Sequence, residues 1–200
     1  MPALGITGGI ATGKSTLTQM LLRQLPAKAF DADECAHDLL EHDLDVQAAV
    51  RAQLGPSVFG SDGKPDRAVL RDVVFGDEYA RALLEKILHP IIREHWSALA
   101  ATARSGKKWL CFDIPLLYET GVEAQFDRVI VVACSSETQR QRLSAARGLS
   151  DDLADRIVAA QLDLREKISR CHHLIWNDST PASLEGQATL LADWLRHRYG

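Results

Sequence analysis

The stretch "GITGGIATGKST", residues 5–16, decides what this chain folds into and what it binds. Within it, residues 8–15 match the pattern G-x-x-x-x-G-K-S/T at every fixed position. A short apolar strand, "ALGIT" (3–7), precedes the loop, and apolar residues with helical spacing follow over 14–25. A strand, a glycine-rich loop and a helix in this order predict a loop whose backbone amides surround a phosphate group.

The side chains of this loop have the chemistry that a nucleoside triphosphate needs. Lys14 is placed to reach the β and γ phosphates, and the Ser15 hydroxyl suits a Mg²⁺ ion. The helix that begins near Lys14 adds backbone amides and the positive end of its dipole. We therefore expect the nucleotide to be bound by Gly9, Ile10, Ala11, Thr12, Gly13, Lys14, Ser15 and Thr16.

Composition narrows the class of protein. The chain has 200 residues and a net charge of −4, with 23 Lys and Arg against 27 Asp and Glu. This mild acidity disfavours nonspecific nucleic-acid binding. No apolar run approaches the roughly 20 residues of a membrane span, and the loop leaves no room for a signal peptide before it. With four cysteines that lack disulfide or ligand spacing, we expect a cytoplasmic enzyme with no nucleic-acid or membrane partner. The oligomeric state is not indicated.

Further apolar runs indicate an α/β fold. They are continuously apolar, as strands buried on both faces of a parallel sheet are. With the first strand they predict a P-loop NTPase fold with a parallel five-stranded sheet flanked by helices. The runs are "AKAFDAD" (27–33), "KKWLCFDI" (107–114), "DRVIVVAC" (127–134) and "HHLIWN" (172–177).

Two helical insertions interrupt this pattern. A helical substrate-binding insertion is expected at about 34–105, where Pro90 should kink or divide the last helix. A second excursion at about 136–167, with four arginines within 136–161, is expected to form a lid. The core then comprises about 1–33, 106–135 and 168–200.

The motifs of other P-loop classes are missing from the sequence. A guanine-nucleotide switch needs Asp-x-x-Gly and Asn-Lys-x-Asp, whereas this chain has "DIPLLYE" (113–119) and "WNDS" (176–179). A motor ATPase or translocase would bring a longer chain and a basic track. A small-molecule kinase fits better, because Asp31 and Asp33 follow the second strand, where open α/β sheets bind ligands. Kinases of nucleoside monophosphates or shikimate, and a noncatalytic nucleotide-binding module, stay open as alternatives.

The same residues resemble the dephospho-CoA kinase family over nearly the whole chain, in the correct order. The motifs are "TGGIATGKST", "FDAD" (30–33), "DGKPDRAVLRDVVF", "ILHPII" (87–92), "DIPLLYE", "ETQRQRL" and "AAQLDLREK". The resemblance implies that ATP phosphorylates the ribose 3′-hydroxyl of dephospho-CoA, giving coenzyme A and ADP. This chain departs from the family in having Ala11 for a usual Gly, "CHH" (171–173) for a usual Ala-Asp pair and Arg165 for a usual Glu. Trp176 and Ser179 also replace a common acidic residue and a common glycine.

The resemblance also implies residue roles. Asp33 is the candidate catalytic carboxylate that accepts or orients the acceptor proton, with the competing interpretation that it caps a helix starting at Glu34. Lys14 and Arg142 complete the catalytic set. Asp113, unless it is only a turn residue, holds Mg²⁺ with Ser15, directly or through water. The remaining candidates are Arg147 and Asn177 for the nucleotide, and Asp31, His89, Leu116 and Glu119 for the acceptor. His89 fits a packing or capping role equally well.

Overall fold

The computed structural model describes residues 2–105, 109–147 and 151–200, with side chains over 2–100, 109–145 and 154–200. Its five strands form one sheet in the order β2-β3-β1-β4-β5, and every neighbouring pair is parallel. The predicted five-stranded parallel sheet is therefore confirmed. The strands are β1 (Ala3–Gly8), β2 (Ala27–Asp31), β3 (Trp109–Asp113), β4 (Arg128–Ala133) and β5 (His173–Trp176).

Helices connect the strands. Short 3₁₀ turns lie at Pro56–Val58 and Glu123–Gln125. Within the described ranges, no helix combines the length and the apolar composition that crossing a bilayer requires. The helices are α1 (Lys14–Gln24), α2 (Ala32–His42), α3 (Leu44–Leu54), α4 (Arg67–Gly76), α5 (Glu78–Ser105), α6 (Ser136–Arg147), α7 (Asp151–Ala159), α8 (Leu164–Arg170) and α9 (Pro181–Tyr199).

The chain divides into two compact units. The first comprises 1–31 and 98–200 and contains the whole sheet; the second comprises 32–97. The 136–167 excursion groups with the first unit, and the three-part division into core, insertion and lid stays a prediction.

The helices of the second unit begin and end at local signals. Asp43 caps α3 by accepting from the amides of Asp45 (2.9 Å) and Val46 (3.0 Å), and Gly55 ends that helix. Pro90 does not divide the long helix, because α5 runs through it from Glu78 to Ser105. A proline removes one backbone donor, and the rest of a long helix retains its hydrogen bonds.

Burial on both faces explains the apolar strands of the first unit. Leu4, Ile6 and Ile130 of the central strands have no exposed surface. On one face they pack with Leu17 and Leu21 of α1 and with Leu184, Ala188, Leu191 and Leu195 of α9. Thr180 caps α9 and Pro181 is its first residue, as sequence patterns of helix starts predict.

The unusual residues around β5 keep this edge strand attached. The His172 amide donates to the Val129 carbonyl (2.9 Å), and the Val129 amide donates to His172 Nδ1 (3.0 Å). On the outer side, the Gln187 amide bonds both the N–H (3.0 Å) and the C=O (2.9 Å) of Trp176. The Gln187 side chain thus covers part of an open sheet edge that would otherwise pair with another chain.

The neighbouring His173 makes stability sensitive to pH. Burial first, and then the positive charges of Arg128 and His172, lower the pKa of the His173 imidazole below 6.5. The unfolded chain therefore binds this proton at a higher pH than the folded chain does. We expect the free energy of unfolding to fall as the pH drops below about 6.5, down to the folded-state pKa.

The variant His173→Phe tests this dependence. Nε2 of His173 has no hydrogen-bond partner among the described residues, and the ring packs against Trp194 at 4.4 Å, so Phe should fit. Urea unfolding at pH 8 and pH 5.5 should show a smaller loss of stability for His173→Phe than for the parent chain. Equal losses would contradict the assignment to His173.

Candidate active site

The phosphate loop, residues 8–15 between β1 and α1, is closed on itself by side-chain donors. Thr12 Oγ1 donates to the Gly9 carbonyl at 2.8 Å, and Lys14 Nζ donates to the same oxygen at 3.0 Å. Thr12 is fully buried. The Lys14 ammonium therefore lies over the loop, where its charge favours an anion.

The inner part of the loop turns at Ala11 and Gly13, which have left-handed backbone angles. Ala11 has a φ of 58° and Gly13 a φ of 99°. At Gly13 a β-carbon would lie 2.4 Å from Nδ2 of Asn177, so only glycine fits. As the N-cap of α1, Gly13 also offers no side-chain oxygen to the first-turn amides, which suits this helix start for an anion instead.

Asn177, at the end of β5, is one of the predicted residues that the structure brings to the loop. It is almost fully buried. Its Nδ2 donates to the Thr12 carbonyl at 2.8 Å, and its own amide donates to the Ala133 carbonyl at 2.7 Å. The side chain therefore ties the last turn of the loop to the sheet.

The oxygen atoms predicted to hold a metal also come together. Ser15 Oγ donates to Oδ2 of Asp113 at 3.0 Å, and Asp113 is buried at the end of β3. Asp31 ends β2 directly opposite Asp113 in the strand register. Hydroxyl and carboxylate oxygens at the carboxyl edge of the sheet are the donors that Mg²⁺ prefers.

The predicted arginines have different surroundings. The Arg142 guanidinium donates to the carbonyls of Ala11 (3.3 Å), Thr12 (3.4 Å) and Asn177 (2.8 Å), so it lies against the phosphate loop. Arg140 pairs with Asp155 at 2.8 Å, and both side chains are more than half exposed. The side chain of Arg147 lies outside the described residues.

The remaining candidates for the acceptor lie in both units. Asp33 is in the first turn of α2, which begins at Ala32, so the interpretation as a cap of a helix starting at Glu34 is wrong in that detail. An acidic side chain in a first turn is favoured by the helix dipole. Asp33 and His89, which lies within α5, belong to the second unit, whereas Asp31, Leu116 and Glu119 belong to the first.

A buried ion pair that the sequence did not predict holds the loop after β3. Lys167 is fully buried, and its Nζ lies 2.7 Å from Oε1 of Glu119 and 3.0 Å from the Pro115 carbonyl. The Leu162 amide donates to the same Glu119 oxygen at 2.9 Å, and Thr7 Oγ1 donates to the Pro115 carbonyl at 3.1 Å. Glu119 thus connects the 115–119 loop to the chain before α8.

Asp178 is another residue that sequence analysis missed. Its carboxylate accepts from the amide (2.8 Å) and the hydroxyl (3.1 Å) of Ser135. The hydrogen bond from the Ser135 amide is the main cause that lowers the pKa of the Asp178 carboxyl below 3.8. The pair joins the loop after β4 to the loop after β5, which carries Asn177. The only indication of Asp178 in the sequence was its position next to Asn177, a residue predicted to bind the nucleotide.

Comparison with known proteins gives consistent matches. A family model described as dephospho-CoA kinase matches residues 3–183. A dephospho-CoA kinase of Symbiobacterium thermophilum is 40% identical over 92% of this chain and 79% of its own length. One of Anaeromyxobacter dehalogenans is 41% identical, over 96% and 92%. The solved dephospho-CoA kinase of Campylobacter jejuni superposes with a TM-score of 0.71 at 25% identity, covering 96% of both chains.

The buried ion pair at Lys167 generates a stability prediction. Lys167→Met leaves Glu119 without its cation, and breaking a buried pair in this way should lower the free energy of unfolding by about 3 kcal/mol. Arg165→Met is the matched control, because Arg165 is exposed on the same helix, and it should change stability by less than about 0.5 kcal/mol.

Urea denaturation of both variants measures the difference. The double variant Lys167→Met/Glu119→Leu should recover part of the loss, since it removes both charges. Similar effects of Lys167→Met and Arg165→Met would show that the ion pair contributes nothing particular.

Proposed function

Because this chain belongs to the dephospho-CoA kinase family, we propose that it transfers the γ-phosphate of ATP to the ribose 3′-hydroxyl of dephospho-CoA, producing coenzyme A and ADP. The family assignment confirms the resemblance seen in the sequence motifs. The chain is thus a kinase of coenzyme A biosynthesis. The observation that carries this conclusion is the near-complete family match over a chain whose phosphate loop is intact.

The first step we propose is triphosphate binding by the loop. The phosphates are proposed to bind the start of α1 and the loop amides other than that of Ile10, which donates to Gln161, and Lys14 is proposed to shift from the Gly9 carbonyl to a phosphate oxygen. This proposal is supported by the loop carbonyls, which already accept hydrogen bonds from side chains, because these bonds fix the orientation of the loop peptides. Arg142, with its planar set of donors beside the loop, is proposed to stabilise charge on the transferring group.

The acceptor is proposed to be oriented by Asp33. In a loose transition state the attacking hydroxyl needs alignment more than early deprotonation, so the carboxylate acts chiefly by accepting the hydrogen bond of the 3′-hydroxyl. The family resemblance supports Asp31, His89, Leu116 and Glu119 as candidate acceptor-binding residues, with Glu119 acting through the loop that it anchors. Arg147 and Asn177 are proposed to serve the nucleotide.

The donor set fits a Mg²⁺ ion accompanying ATP. Ser15 and Asp113 would hold it, directly or through water, because Mg²⁺ takes few protein oxygens together with substrate phosphates. When bound, the ion would neutralise charge on the β and γ phosphates.

The alternatives have less support. A kinase for shikimate or a nucleoside monophosphate would share the fold, but the family match covers the acceptor insertion as well as the loop. A module that only binds nucleotide would have no need for that insertion. We also propose a cytoplasmic location, supported by the four free thiols, Cys35, Cys111, Cys134 and Cys171. The proposed partners are the two small substrates, without nucleic acid or membrane.

An acceptor screen tests the proposed reaction. ADP release should saturate with dephospho-CoA and should stay at background with AMP, with shikimate and without acceptor. Mass spectrometry should show a product heavier by one phosphoryl group on the ribose. Transfer to another acceptor would reassign the substrate, and slow hydrolysis of ATP without transfer would support the nucleotide-binding module.

The variant Asp33→Asn tests the catalytic carboxylate. It should retain ATP binding and lose kcat by roughly 10²–10⁴-fold, because a neutral amide oxygen accepts the hydrogen bond of the 3′-hydroxyl more weakly than a carboxylate and cannot take up its proton. Asp38→Asn, an exposed change in the same helix, is the control and should keep full activity. Lys14→Ala should instead weaken ATP binding itself. Normal turnover by Asp33→Asn would remove Asp33 from the mechanism.

A further inference from the structure

Both backbone polar groups of Ile10, in the middle of the phosphate loop, are held by glutamine side chains. The Ile10 amide donates to Oε1 of Gln161 at 2.9 Å. The Ile10 carbonyl accepts from Nε2 of Gln139 at 2.8 Å. Gln139 lies in α6 and Gln161 lies between α7 and α8, so two separate elements hold the two peptide groups that flank Ile10.

The backbone of the phosphate loop lies close to the side-chain amide of Gln139. Gln139 is a polar residue that is only 5% exposed. A β-carbon at Gly9 would lie 2.5 Å from its Nε2, so any side chain at Gly9 would displace the Gln139 amide. The Gln139 amide therefore packs directly on the backbone of Gly9, at the residue before the peptide that it binds.

The backbone next to the second glutamine, Gln161, is also held in place. The residue after Gln161, Leu162, donates its amide to the Glu119 carboxylate at 2.9 Å. The same carboxylate pairs with the fully buried Lys167. The backbone beside Gln161 is thus held to the loop after β3, and its side-chain oxygen is presented to Ile10 from a rigid position.

The residue after Ile10, Ala11, has a strained backbone angle that neighbouring groups must hold. Ala11 has a φ of 58°, an unfavourable angle for a residue with a side chain. Strained angles persist where the surrounding structure fixes them. Here Gln139 holds the carbonyl before Ala11 and Arg142 holds the carbonyl of Ala11 itself, at 3.3 Å.

We infer that Gln139 and Gln161 are positioning residues for the triphosphate: they fix the two peptide groups that flank Ile10, keep Ala11 in its left-handed turn, and so preform the cradle made by the other amides of the loop. They act through the backbone and require no contact with a substrate. The inference rests on the proposed function for the reaction that it serves, and ATP binding is its direct readout.

The test compares Gln139→Ala and Gln161→Ala with a matched control. Gln141→Ala is that control, because Gln141 is an exposed residue of α6 whose amide donates to Glu137. Leaving the partly buried Ile10 groups without partners should weaken ATP affinity, measured by calorimetry, about ten-fold for each variant. The KM for dephospho-CoA should stay unchanged, and Gln141→Ala should bind ATP like the parent chain.

Two further comparisons separate positioning from general stability. Gln139→Asn and Gln161→Asn keep the amide but are too short to reach Ile10, and they replace any Ala variant that fails to fold. Glycine at position 11 adopts the left-handed angle without strain and so needs less support from the Gln139 side chain. Adding Ala11→Gly to Gln139→Ala should therefore restore about half of the lost ATP affinity. Strict additivity of the two changes, or ATP affinity equal to that of Gln141→Ala, would overturn the inference.

The outcomes distinguish this inference from the proposed function. If the parent chain binds ATP but does not phosphorylate dephospho-CoA, a weakened affinity in both glutamine variants still supports the positioning role. If the parent chain turns over dephospho-CoA and the variants bind ATP normally, the positioning role alone is wrong. Failure of the parent chain to bind ATP would overturn both.

Discussion

A loop that offers its amides to an anion must find partners for its carbonyl groups elsewhere, and this requirement organises the first unit. Buried carbonyls without partners are costly, so few proteins tolerate them. In this chain every carbonyl from Gly9 to Gly13 accepts a hydrogen bond. The donors are Thr12 and Lys14 for Gly9, Gln139 for Ile10, Arg142 for Ala11, Asn177 and Arg142 for Thr12, and the Leu17 amide for Gly13.

Individual positively charged side chains have different roles at different places in this protein. With a net charge of −4, the chain attracts anions only where individual side chains are placed for it. Lys14 and Arg142 lie at the phosphate loop and are directed to backbone oxygens there. Lys167 is buried and paired with Glu119. A buried pair of this kind contributes little net stability, but it fixes the two segments that carry it.

A single sequence reveals features that depend on neighbouring residues, but not contacts between residues that are far apart along the chain. The phosphate loop, the burial of the continuously apolar strands and the cap at Thr180 follow from neighbouring residues, and they were readable. Gln139, Gln161 and Lys167 lie in the motifs "ETQRQRL" and "AAQLDLREK", but their contacts were not readable, because each occupies a helix or turn position that is equally suited to solvent. Their partners lie more than forty residues away along the chain. Asp33 was found by motif, yet its place in the first turn of α2 was not.

The sequence by itself determined the parallel α/β class, the phosphate loop and the family, because strand, turn and helix preferences and motif spacing are properties of adjacent residues. Only the tertiary structure decided which polar side chains surround that loop. Ser15 meets Asp113, Asn177 meets Thr12, and two glutamines meet Ile10, because the order β2-β3-β1-β4-β5 brings the carboxyl ends of distant strands together. That order follows from packing the whole sheet, which no short segment encodes.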